Sequence, residues 1–168
     1  IFKNELRDQG AITSVTLELR KDFKIDLSYP ALQHYFDGDD NVSALKVFNA
    51  VCEIRMQKLP LPDDIPNLGS FFKNPIISNL KFKNLFKKFN TIPNYKISKN
   101  EVKIPAAWLI EECGFKGKIE GKTGTHKKHA LVIVNNGGAT GEEIYKFSQN
   151  IKKSVLKKFN ILLEEEVN

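Results

Sequence analysis

The chain has 168 residues, a net charge of +6 and 41% apolar residues, enough for one domain, or one domain and a piece of another. No apolar run approaches the roughly 18 residues a membrane helix needs, so a chain without a membrane partner is expected. The cationic excess is mostly lysine; it draws in anions without choosing among nucleotide, nucleic acid and lipid. The only methionine is Met56 and the chain opens on Ile1-Phe2-Lys3, so a fragment or processed product is expected.

Val15-Thr16-Leu17-Glu18-Leu19-Arg20 alternates apolar with polar residues, the period of a half-buried strand. Tyr29 to Phe36 reads as a short helix, followed by a loop at Asp37-Gly38-Asp39-Asp40-Asn41. Ser43 is placed to cap a helix through about Met56, with Val47, Phe48, Val51, Cys52 and Arg55 on one side. That helix must end before Pro60, because the residue ahead of a proline avoids helical geometry. Pro60, Pro62, Pro66 and Pro75 make the next stretch a rigid extended connection. A domain boundary falls near it, between residues 1–60 and 61–168.

Phe82, Leu85, Phe86 and Phe89 recur at helical spacing among Lys81, Lys83, Lys87 and Lys88, the pattern of a basic amphipathic helix. Pro105 and Gly114 bracket a short helix over Ala106 to Cys113. Ala130-Leu131-Val132-Ile133-Val134-Asn135 reads as a buried strand, and Asn136-Gly137-Gly138-Ala139 as a turn. Thr140-Gly141-Glu142-Glu143 has capping-box form. A long helix starts there, with the stripe Ile144, Phe147, Ile151, Val155 and Phe159 and lysines suited to its negative C-terminal end. Ile161-Leu162-Leu163 begins a last strand ending in Glu164-Glu165-Glu166-Val167. The fold class is α+β, a small mixed sheet with flanking helices. Cys52 and Cys113 each sit in an apolar helical pattern, and buried free thiols fit a reducing cytosol.

Gly69-Ser70-Phe71-Phe72-Lys73-Asn74-Pro75 concentrates a hydroxyl, two aromatics, a cation and an amide in one turn. A serine beside a glycine is most often structural. A loop anchored by two phenylalanines nevertheless holds the hydroxyl still, as proton delivery in a transition state requires. An ordinary serine is a poor acid and serves only a strongly basic centre, such as a carbanion or enolate. In an extended tail, Glu164 and Glu166 share one face and Glu165 the other, so the tail is either a solvated acidic end or a carboxyl group aimed into a site. His126-Lys127-Lys128-His129 lacks further ligands for a metal and carries lysines that repel one, so a polar loop is expected. No Gly-rich phosphate signature has the strand–turn–helix context it needs. Read from its charge alone, the chain has an alternative as a basic, non-enzymatic module for nucleic acid or another polyanion. Against that stand only three arginines, Arg7, Arg20 and Arg55, and aromatics at core spacing.

Ordered blocks resemble the UDP-N-acetylenolpyruvoylglucosamine reductases, in the longer form that keeps a tyrosine-bearing loop. They are Val47 to Cys52 with Arg55 and Lys58-Leu59-Pro60; Gly69 to Pro75; Pro93-Asn94-Tyr95; Ala107-Trp108-Leu109-Ile110; Lys116-Gly117; His126 with Ala130-Leu131-Val132; Lys158-Phe159-Asn160; and Leu163-Glu164-x-Glu166-Val167. The resemblance covers almost the whole chain. It implies that residues 1–60 end the second flavin-binding domain and that 61–168 form the substrate-binding domain. It implies a cytoplasmic enzyme of peptidoglycan precursor synthesis that uses FAD and NADPH to reduce UDP-N-acetylglucosamine enolpyruvate to UDP-N-acetylmuramate. By match, Ser70 is the proton donor, and Glu166 helps stabilise the intermediate or takes part in the protonation. Lys58, Asn74, Tyr95, Lys116 and, less directly, His129 contact substrate; no residue of this sequence is assigned to the cofactor and none to a metal. Nucleic acid is not an implied partner, and oligomeric state is left open. The flavin-binding part, the family's catalytic arginine and a Tyr-Arg-Asp-Ser stretch ahead of Ile1 are not in this sequence, and Asn168 stands where relatives carry Arg. The expectation is a C-terminal portion that neither holds FAD nor turns over by itself.

Overall fold

A computed structural model describes residues 9–22 and 24–167; Ile1-Phe2-Lys3, Arg7 and Asn168, which the sequence reading uses, lie outside them. The chain divides into two compact units, Ile1–Ala50 and Val51–Asn168.

In the first unit the expected strand over Val15–Arg20 is not formed. The alternation is there, but Val15, Leu17 and Leu19 are 72%, 74% and 82% exposed. A strand exists only as part of a ladder, and no described residue pairs with this stretch. The expected short helix is α1 (Pro30–Tyr35), with Pro30 in its first turn and Leu32 buried. Helix α2 (Ala44–Lys58) starts in this unit and ends in the next. The Lys46 amide donates to Ser43 Oγ at 3.3 Å, as a cap should. The helix runs two residues past Met56 and stops short of Pro60. Its expected stripe is corrected: Phe48 is 64% exposed and Ala50 is the residue fully buried.

The second unit is built on β1 (Asn67–Ser70), β2 (Ile76–Ser78), α3 (Asn79–Phe86), β3 (Tyr95–Lys96), β4 (Glu101–Lys103), α4 (Ala106–Glu112), β5 (Ile119–Glu120), β6 (Thr123–His126), β7 (His129–Asn135) and α5 (Gly141–Phe159). Two antiparallel sheets result, one in the order β1-β7-β6-β5 and one in the order β2-β4-β3. The fold is α+β, with small antiparallel sheets and flanking helices. Strand β7 is buried from Ala130 to Val134, so it reads as one apolar run. Helices α4 and α5 pack on it and on each other. The stripe of α5 goes in as its spacing requires: Phe147, Ile151, Val155 and Phe159 are all buried. Thr140 and Glu143 close the full capping box, and Asn160 ends the helix in a left-handed conformation. In α3, Phe82 and Leu85 pack against the core while Phe86 stays exposed.

Three expectations change here. The expected last strand is reduced to a single bridge between Phe72 and Glu165, although Ile161 and Leu163 are buried. The polar loop at 126–129 is a hairpin turn, with His126 paired to His129 across Lys127-Lys128. The two free thiols are half-buried rather than buried, and burial pushes the Cys113 thiol upward despite the nearby Lys158.

Gly124 in β6 is required by close approach: a Cβ there would lie 2.6 Å from the Lys118 carbonyl oxygen and 3.2 Å from Ile119 Cα. Both are backbone atoms and cannot step aside. Gly124→Ala should destabilise the second unit by about 1–3 kcal/mol, the usual range for overpacking. Gly141→Ala should be neutral or slightly stabilising, because nothing lies within 4 Å and the site is helical. Chemical denaturation of both variants checks the pair, and equal stabilities would refute the steric argument.

Candidate functional site

Ser70 closes β1, where a register shift separates the Asn67–Val134 and Ser70–Val132 pairs. Asn67 shapes that shift. Its Oδ1 accepts from the Gly69 amide at 2.9 Å, and its Nδ2 donates to the Ile65 carbonyl at 2.8 Å. Gly69 takes φ +67°, a conformation that side chains disfavour. Past the shift, the Phe71 amide donates to the Leu131 carbonyl at 2.9 Å. Phe71 and Phe72 are buried, edge to face at 5.0 Å. Ser70, one residue earlier, is left exposed. It lines a cavity of about 640 Å³, walled by Asn67, Gly69 and Val132 on one side and by the end of α2 and the Pro60–Pro62 segment on the other. Arg55 lines the same cavity.

A second group gathers at the β6–β7 turn. Lys128 Nζ donates to the Gln57 carbonyl at 2.8 Å, tying the turn to the end of α2. Gly117 approaches Lys127 so closely that a Cβ at Gly117 would lie 3.3 Å from the Lys127 Cα, tighter than ordinary van der Waals contact. Lys58 and Lys116 come within electrostatic reach of His129. Burial first, and then these two lysines, hold His129 below the usual imidazole range. Its Nδ1 is buried without a hydrogen-bond partner among the described residues. His126 is likewise pushed down, by burial and then by Lys127, Lys128 and His129. Lys116 also pairs with Glu111 at 2.7 Å, an exposed contact. Lys58, Lys116 and His129 are 13 to 71 positions apart in the chain, yet the fold makes them one electropositive cluster.

The other expected residues are placed differently. Asn74 Oδ1 accepts from the Ala106 amide at 2.8 Å and so caps α4, whose N-cap position is the proline Pro105. Tyr95 lies on the edge strand β3, opposite Lys103 and 63% exposed, and shares neither the Ser70 cavity nor the His129 cluster. Glu166 donates its amide to the Phe71 carbonyl at 2.9 Å, which sets its backbone one residue from Ser70. Its side chain is exposed and is not among the residues lining the Ser70 cavity. The sequence pattern places Arg55 on a helix stripe and does not mark it as a site residue. Its spacing of three from Lys58, which puts both on one helix face, was the available signal. The aromatics that a nucleic-acid surface would need free, Phe82 and Phe89, pack against the core, so the polyanion-module reading gains no support.

Residues 60–168 match the family model described as UDP-N-acetylenolpyruvoylglucosamine reductase, C-terminal domain. Among curated proteins, the chain is 48% identical over its whole length to a UDP-N-acetylenolpyruvoylglucosamine reductase of Flavobacterium johnsoniae, covering 51% of that protein. It is 44% identical to the Amoebophilus asiaticus protein of that name, covering 50% of it. It is 43% identical over 99% of its length to the one from Shewanella oneidensis, covering 48% of that protein. The chain thus spans about half the length of the curated relatives it matches. With most of the chain inside the family model and three relatives above 40% identity, the chain belongs to the UDP-N-acetylenolpyruvoylglucosamine reductase family.

Proposed function

We propose that this chain supplies the substrate domain of a reductase of cytoplasmic peptidoglycan precursor synthesis. The substrate is UDP-N-acetylglucosamine enolpyruvate and the product UDP-N-acetylmuramate. The observation that carries this reading, beside family membership, is the Ser70 hydroxyl on a cavity wall, held by a strand end whose next two residues are buried. In this reading residues 1–60 end a flavin-binding domain and 61–168 bind substrate.

The reading requires FAD and NADPH. The donor sets described here, a serine with an arginine and a histidine with two lysines, suit an anionic sugar nucleotide and not a flavin ring. FAD is accordingly assigned to the part of full-length relatives that this chain does not span. Bound there, FAD would supply the hydride equivalent for the terminal alkene carbon of the substrate. The pair of electrons left on the carbon beside the carboxylate makes a carbanion or enolate, basic enough to take a proton from a serine hydroxyl. Ser70 donates that proton, which completes the reduction of the double bond. Arg55 is suited to the substrate carboxylate, because a guanidinium favours the charge-delocalised enolate. Glu166 assists from the adjoining tail. Lys58, Lys116 and His129 hold the diphosphate, with Asn74 and Tyr95 farther along the substrate.

In the full-length reductase, Ser70→Ala should slow reduction of the enolpyruvyl substrate by roughly 10²–10⁴, the usual worth of a positioned general acid. Flavin reduction by NADPH should be nearly unchanged. Rapid-mixing measurements of the two half-reactions check this, and equal slowing would make Ser70 a structural residue.

His129 reports on the diphosphate site. Because its folded value is depressed, the imidazole is neutral at pH 7, and the stability this contributes is present above the ordinary value of about 6.5. That contribution is lost as pH falls from there towards the folded midpoint. UDP bound between Lys58 and Lys116 offsets their charge, so the His129 midpoint should move up on adding UDP but not uridine. Magnetic-resonance titration of the imidazole reads it; a midpoint indifferent to UDP would place the diphosphate elsewhere.

Binding of UDP should weaken with added salt, since the charge pairing is screened. Lys116→Ala should weaken it further while leaving the denaturation midpoint in place. Calorimetry tests both, and an unchanged affinity for Lys116→Ala would reduce this residue to a surface lysine.

A further inference from the structure

The tail that carries Glu166 is not held by a sheet. Its backbone is fixed by the Phe72–Glu165 bridge, by the Lys73 amide donating to the Glu164 carbonyl and by the Glu166 amide donating to the Phe71 carbonyl, both at 2.9 Å. So short a ladder frays easily, because each hydrogen bond contributes little net stability. Lys73 and Glu164 form an ion pair at 2.5 Å, but both side chains are well exposed, and such pairs add little.

Glu165 is held differently. Lys152 Nζ lies 2.7 Å from each of its carboxylate oxygens, and Gln149 Nε2 donates to Oε1 at 2.9 Å. The lysine and glutamate side chains are only 18% and 25% exposed. Burial raises the Glu165 carboxyl, but the hydrogen bonds from Lys152, the backbone and Gln149 outweigh it, and the group is held below the usual carboxylate range. Gln149 and Lys152 are three apart and so share one face of α5. That helix is rigid where they stand, since Ser148, Ile151 and Val155 between and beyond them are buried. The middle residue of the tail is therefore clamped to a core helix, and alternation turns the neighbouring Glu166 away from it.

We infer that Lys152, with Gln149, is a positioning residue of this reductase: through the Glu165 carboxylate it locks the C-terminal tail beside the Ser70 strand end and so sets where Glu166 stands. The inference rests on the reading of Ser70 and Glu166 given above. It adds a residue on a different helix that touches neither substrate nor cofactor. Lys152→Met keeps an unbranched apolar stem one atom shorter and leaves a half-buried carboxylate without its cation, which is costly for the docked tail.

The test uses the full-length reductase and two readouts. Hydrogen exchange at the Lys73 and Glu166 amides should quicken by about tenfold or more in Lys152→Met, with the β7 amides unchanged. Substrate reduction should slow by about tenfold, flavin reduction should not, and Lys152→Arg should restore both tail protection and rate. Glu165→Gln, which removes the same pair from the other side, should repeat the exchange result should Lys152→Met fold poorly. Unchanged exchange at Lys73 and Glu166 would sink the clamp whatever the function of the site. Faster exchange with an unaltered substrate rate, while Glu166→Gln is slow, would sink the positioning role. A Glu166→Gln enzyme of full activity would overturn the assignment of Glu166 itself, and with it the catalytic purpose of the clamp.

Discussion

Phe71 and Phe72 enter the core side by side, although they are consecutive residues of an extended chain, and the candidate site depends on how that is achieved. Consecutive strand residues ordinarily point to opposite faces. Here the chain shifts register after Asn67, Phe71 still bonds through its amide to the Leu131 carbonyl, and Phe72 turns to the tail, where it bridges Glu165. With about 150 Å² or more of apolar surface at stake per ring, this burial outweighs any local preference of the small residues before it. Ser70 is left outside by the same geometry that takes its neighbours inside. The Ser70 backbone is consequently anchored while its side chain stays exposed, a combination that a loop of polar residues could not give.

Electrostatics then separates two parts of the site. The Ser70 cavity is lined by one cation, Arg55, whose planar, delocalised guanidinium favours bidentate contact with an oxyanion. The His129 cluster carries two ammonium groups around an imidazole that they, with burial, keep neutral. Lysines so placed repel one another, a repulsion that a bound anion would offset. The last turn of α2 joins the two parts, since Arg55 and Lys58 are three residues apart on it. Its position is set by the Lys128 contact to Gln57 and by the prolines that stop the helix.

Much of the architecture was legible in the residues. The capping box at Thr140, the stripe of α5, the apolar run of β7 and the stop at Gly114 are local signals, and each is where its spacing puts it. The short strands β1 to β6 were not legible, because runs of two to four residues carry too little periodicity to be told from turns. Val15 to Arg20 shows the converse. Its alternation is as clear as any in the chain, but a strand is a property of two segments, and none of the described residues pairs with it.

For the site, the sequence alone determined the chemistry on offer: a serine beside two phenylalanines, lysines at 58 and 116, a histidine at 129 and a glutamate in an acidic tail. Those residue types and their order also carried the family, since ordered blocks survive where single motifs mislead. Only the tertiary structure decided the grouping. Lys58, Lys116 and His129 come within electrostatic reach because a hairpin turn touches the end of a helix 71 residues earlier. Asn74, polar and only 4 positions from Ser70 in sequence, is instead occupied in capping α4. Glu165 is drawn to Lys152 and leaves Glu166 on the other side of the tail. Local pattern fixes which residues a short segment presents, whereas long-range burial and charge pairing fix which segments meet, and no spacing within a single segment encodes the second.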